Sequence, residues 1–118
     1  MAEKVETFGR RLRETRRSKG VSQRELASTV GVDFSYISKL ENDRLPPPAA
    51  DTIVRMCEAL GLAPDELLAS TGKMPTQIKE MLGTSPSALR FMRQAHEMGL
   101  TDEEWHEMME RMKGLRSE

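Results

Sequence analysis

The chain has a single cysteine, Cys57, among its 118 residues, so no internal disulfide can form, and this usage fits a reducing cytosol. Aromatic residues make up only 4% of the sequence, and no strand-like alternation of apolar and polar residues occurs. Both shortages, together with nine methionines, suit an all-α protein. No apolar run approaches the ~20 residues a membrane-spanning helix needs. The amino-terminal stretch MAEKVETFGRRLR has no apolar core segment and does not read as a signal peptide. A cytoplasmic location is therefore expected. The net charge is close to nil, at −1. Catalytic constellations are missing as well: there is no Ser/His/Asp arrangement and no phosphate-cradling glycine loop. His106 and Glu107 open an HEMME stretch with Glu110 where a zinc protease would carry its second histidine, and His96 lies ten residues away on another helix. Neither an enzyme, a metal site nor a cofactor is expected.

What is present is a helix pair in residues 22–41, SQRELASTVGVDFSYISKLE. Ser22 is placed to cap a helix, with Glu25 three residues on to complete a capping box. Leu26 and Val30 share one helical face, and Ala27 is small where a second helix must approach closely. Gly31 falls where the first helix must stop and the chain reverse. Asp33 is placed to cap a second helix, whose Ile37 and Leu40 face Leu26 and Val30. Two helices joined by a short glycine-containing turn are the means by which a recognition helix is held in the major groove of DNA.

This segment resembles the helix-turn-helix of the lambda-repressor-like, Cro-type family of bacterial and phage transcription regulators. The likeness extends over residues 8–68, with FGRRLRETRRSKG before the motif and ENDRLPPPAADTIVRMCEALGLAPDELL after it. It implies a five-helix DNA-binding domain. By resemblance, Phe34, Ser35, Ser38 and Lys39 are the positions where the family reads bases. The serines suit several bases, Lys39 suits guanine acceptors, and Phe34 suits a thymine methyl. Phe34 departs from the polar residue often found there; a staple against the loop is its alternative role. Gln23 matches the family's phosphate-clamping glutamine and could also brace the recognition helix. Tyr36, Asn42 and Arg44 flank that helix as backbone contacts, with Arg24 and Arg17 as additional candidates. Arg16 and Glu41 correspond to an Arg–Glu pair linking the first helix to the end of the third, a structural role.

The distribution of charge supports this assignment better than its sum. Residues 10–24 hold seven basic side chains against one acid, Glu14, whereas residues 46–72 hold Arg55 against four acids. An Arg-rich helix can be no more than a solvated face, but beside this motif it reads as a phosphate-contacting one. Helical stretches are expected from about residue 6 to 19, through the two motif helices, then from residue 49 or 50 to 60 after the Pro46–Pro47–Pro48 loop, and briefly after Pro64. Cys57 lies in an apolar set with Ile53, Met56 and Leu60 and reads as a packing residue.

A boundary is expected near Ser70–Lys73, giving a helix-turn-helix domain over residues 1–72 and a helical segment over 73–118. The second part should hold two or three short helices: one within residues 75–82, one from Ser85–Pro86 to Met98, and one opened by the capping box Thr101–Glu104. Such a piece cannot enclose its own core. It packs either on the first domain or on the same segment of a second subunit. The second subunit is preferred, because Leu89, Met92, Trp105, Met108, Met109 and Met112 form an apt association surface.

The sequence thus points to a sequence-specific regulator, expected to be a repressor, that binds double-stranded operator DNA as a homodimer. The rival is a protein-interaction module, such as an antitoxin or anti-repressor, that acts through its C-terminal helices.

Overall fold

The computed structural model describes residues 6–116, which form α-helices and no strand. In order these are α1 (Phe8–Ser18), α2 (Gln23–Val30), α3 (Phe34–Glu41), α4 (Ala50–Leu60), α5 (Asp65–Ala69), α6 (Thr76–Thr84), α7 (Pro86–Met98) and α8 (Asp102–Gly114). The all-α expectation holds: a five-helix array is followed by three further helices. The first five residues of the amino-terminal stretch lie outside the described part. Among the described residues no helix is long and apolar enough to cross a membrane.

Side-chain caps set four of the helix starts. α1 begins later than periodicity suggests, because Thr7 accepts from the Arg10 amide and fixes the start at Phe8. Ser22 accepts from the Glu25 amide at 3.0 Å, although the reciprocal bond from Glu25 is not made. Gly31, at φ 83°, takes the left-handed turn that lets the chain reverse between α2 and α3. Asp33 does not cap α3 with its carboxylate; its backbone carbonyl accepts from the Tyr36 and Ile37 amides instead. The helix placed within residues 75–82 runs over Thr76–Thr84. Ser85 caps α7, and Thr101 and Glu104 form a complete capping box at α8.

The described residues gather into two compact units, one ending at Ile78 and one beginning at Lys79. The first packs around Leu12, Leu26, Ile37, Leu40, Ile53, Met56 and Cys57, all essentially without solvent contact. Burial of each such aliphatic side chain is worth about 1.5–3 kcal/mol. Beyond α5 the chain stays tied to this unit. The Lys73 ammonium donates to the Pro47 and Pro48 carbonyls, and Thr76 donates from its amide and hydroxyl to the Asp51 carboxylate. In the second unit only Ala95 is buried among the described apolar residues. Trp105 and Met108 are half-buried there, as expected for a piece too small to enclose a core.

Candidate nucleic-acid interface

Three devices hold α3 in place. The first is the closeness of α1. Gly9 is buried, and a Cβ there would overlap the Leu40 carbonyl oxygen and crowd the Asp43 carboxylate. The absence of a side chain lets the two helices meet backbone to backbone. The second is Asp43, which adopts φ 57° just past α3. One carboxylate oxygen accepts from the Gly9 amide at 3.2 Å and the other from the Thr7 hydroxyl at 2.7 Å. The end of α3 is thereby latched to the start of α1. Sequence reading missed both residues. Asp43 carries no local signal beyond a polar residue after a helix, and the need for Gly9 arises only from a neighbour some thirty residues away.

The third device is ionic. Arg16 donates from Nε and Nη2 to the two carboxylate oxygens of Glu41, at 2.6 and 2.8 Å, and from Nη1 to the Val21 carbonyl at 2.9 Å. Gln23 Nε2 donates to Glu41 Oε1 at 3.0 Å, and the Arg13 guanidinium lies 3.5 Å away. Both Arg16 and Glu41 are buried. Burial by itself would push the Glu41 carboxyl up. The hydrogen bonds from Arg16 and Gln23, with the charges of Arg16 and Arg13, reverse this and hold it below the ordinary glutamate range. The bond to Glu41 likewise raises Arg16, against the opposing effect of burial. Cys57 is shifted up, first by burial and then by the Asp65 charge, as expected of an inert packing thiol.

With its inner face fixed in this way, α3 presents Phe34, Ser35 and Lys39 as exposed side chains and Ser38 as a half-buried one. Tyr36 leans on the core and stays half-buried. Asn42 donates to the Ser38 carbonyl and accepts from Arg13 at 2.7 Å, while Arg44 is exposed. Gln23 gives one N–H of its side-chain amide to Glu41. The Arg24 guanidinium lies over the Phe34 ring, 4.9 Å from its centroid. Phe34 is therefore partnered by an arginine. Arg17, Ser22, Gln23, Arg24 and Phe34 line one shallow groove beside the head of α3.

In the second unit Phe91, Trp105, Met108, Met109 and Met112 line an apolar groove of about 360 Å³ with Arg111 and Leu115. Leu89 and Met92 are exposed and not part of that lining. Phe91, on the same helix as these two, belongs to it.

A helix-turn-helix domain model matches residues 7–70, more than half of the chain. The chain belongs to the lambda-repressor-like helix-turn-helix family of transcriptional regulators. Within this family, the uncharacterized regulator RghRB of Bacillus subtilis is 33% identical over 76 residues, covering 62% of this chain and 55% of the relative. The transcriptional repressor RghR of the same organism is 32% identical over 68 residues, covering 58% and 50%. The chain thus spans about half the length of these helix-turn-helix relatives. Among solved structures of the family, the clp gene regulator ClgR of Corynebacterium glutamicum superposes with a TM-score of 0.50 at 33% identity, covering 59% of this chain and 92% of that one.

Proposed function

We propose that this protein binds duplex DNA through α3 and regulates transcription, acting as a repressor in the cytoplasm. The observation that carries the reading is the exposed polar and aromatic head of α3 held on a rigid, buried ionic support. Sequence readout needs side chains presented at fixed positions to base edges, and a support that does not yield. The basic residues of α1 and α2 lie on the same unit as the reading helix and supply the phosphate attraction that makes such binding salt-dependent. Phe34, Ser35, Ser38 and Lys39 read bases; Gln23, Tyr36, Asn42 and Arg44 hold the backbone. The relationship to RghR, which is named a repressor, supports the sign of regulation.

One copy of α3 reads one half-site, so the protein acts as a homodimer on half-sites about one helical turn apart. The groove lined by Trp105, Met108, Met109 and Met112 is the association surface, with Leu89 and Met92 flanking it. Selection of bound duplexes from a random pool tests the first claim, and failure to enrich any sequence refutes it. Sedimentation of the full chain tests the second: a monomer at the concentrations where DNA is bound refutes it. The same groove favours one rival, a protein-interaction module working through the C-terminal helices. That rival gains if the chain captures no DNA sequence and Met112→Asp leaves the oligomeric state untouched.

A further inference from the structure

Arg24 was placed among the phosphate contacts, but its geometry suits a more discriminating task. Its guanidinium lies over the Phe34 ring, 4.9 Å from the centroid. An aromatic ring takes up the flat face of a guanidinium and leaves the in-plane N–H groups at its edge free. No other hydrogen bond or ion pair engages the Arg24 side chain among the described residues. The contact with the ring therefore restrains a planar donor fork without consuming a donor. A phosphate gains little from this, because it accepts hydrogen bonds from many directions. A guanine edge gains much, because its O6 and N7 must be met by two parallel donors at once.

The position agrees with this requirement. Phe34 is the first residue of α3, the end of a recognition helix that meets base edges, and it remains 42% exposed. Arg24 belongs to the first turn of α2 and lines the same groove. Successive bases stand about 3.4 Å apart along one strand. Arg24 and Phe34, 4.9 Å apart at the head of α3, are close enough for each to reach one of two neighbouring bases. A phenyl ring has no hydrogen bond to offer and finds its apolar partner in a pyrimidine 5-methyl group.

We propose that Arg24 reads a guanine, oriented by Phe34, while the Phe34 ring covers the 5-methyl group of the neighbouring thymine. Arg24 is thus a specificity-determining residue and Phe34 is both a reader and its support. The proposal rests on the reading that α3 enters the major groove. It further implies that 5-methylcytosine, which carries the same methyl group, substitutes for that thymine at this contact.

The test uses the full chain. The wild type, Arg24→Ala, Arg24→Lys and Phe34→Ala are each put through selection from a random duplex pool, with thermal unfolding as the control for folding. The wild type is expected to enrich a guanine beside a thymine in each half-site. Arg24→Ala and Arg24→Lys should both flatten the guanine preference by about tenfold, because lysine keeps the charge but loses the fork. With the wild-type protein alone, replacing that thymine by deoxyuridine should weaken binding several-fold, and replacing it by 5-methylcytosine opposite guanine should not. Phe34→Ala should abolish the response to deoxyuridine. The proposal is overturned if Arg24→Ala weakens all sequences equally and flattens no position, since Arg24 is then a phosphate contact, or if Arg24→Lys retains the full guanine preference, since an oriented fork is then not what reads the base. Indifference of the wild type to deoxyuridine overturns the role of Phe34 even if every variant misfolds. Enrichment of no sequence by the wild type is a different failure, that of the regulator reading itself.

Discussion

Arg16 and Glu41, twenty-five residues apart, meet in a buried fork of two hydrogen bonds at 2.6 and 2.8 Å. The pair joins the last turn of α1 to the last residue of α3, so α3 is tied at its far end to α1. Removing one partner of such a pair leaves an uncompensated buried charge, which costs about 3–5 kcal/mol. Glu41→Ala should therefore lower the stability of the first unit by that order and abolish DNA binding as a consequence. Denaturant unfolding followed by circular dichroism measures it, and an unchanged midpoint would show that the pair is dispensable.

Acid should find the same weak point. The Glu41 carboxyl titrates lower in the folded chain than an ordinary glutamate near 4.3. The folded state thus binds fewer protons there than the unfolded state. The stability this carboxylate supplies is fully present above about pH 4.3, and is lost as the pH falls through its depressed folded value. Melting temperatures followed from pH 7 to pH 3 should fall in the acid range, and Glu41→Gln should show a shallower fall from a lower starting point.

Gly9 provides a test of packing. Replacing a helical glycine by alanine ordinarily stabilises by about 1 kcal/mol. At Gly9 the added methyl would strike the Leu40 carbonyl oxygen and the Asp43 carboxylate. The overpacking penalty, about 1–3 kcal/mol, should win and reverse the sign. Asp43→Ala should destabilise as well, because it removes both acceptors that latch α1 and leaves a residue with no local hydrogen bond at φ 57°. A Gly9→Ala variant that melts higher than the parent would contradict the close approach of the two helices.

On DNA, two groups of variants should behave differently. Lys39→Ala and Ser38→Ala should change which bases are preferred, each by about 1–3 kcal/mol of discrimination. Gln23→Ala and Arg44→Ala should weaken binding to all sequences alike, and Arg44→Ala should also flatten the salt dependence. Binding isotherms on matched and scrambled duplexes at two salt concentrations separate the groups.

Local chemistry made much of this legible in advance. Ser22, Ser85 and Thr101 announce helix starts because a cap needs only its own next three residues, and Gly31 announces a stop because left-handed backbone favours glycine. The pairing of Arg16 with Glu41 was accessible only through family likeness, since nothing at either position speaks of the other. Gly9 and Asp43 escaped notice for the same reason: their roles depend on a contact between α1 and the end of α3 that no helical period encodes. Asp33 misled because a capping carboxylate and a capping carbonyl look alike in sequence. The Arg24–Phe34 contact could not be foreseen either, since it depends on how the turn at Gly31 sets one helix start beside another.

Cys57, sealed in the core of the first unit with its thiol held protonated, gives the protein a built-in clock. It is the only cysteine in the chain, so any thiol reagent has a single address. Alkylation can proceed only when the helices around it part, and its rate therefore counts openings of the domain. A bound operator that grips the closed form would slow that clock, reporting occupancy from a position that never touches DNA.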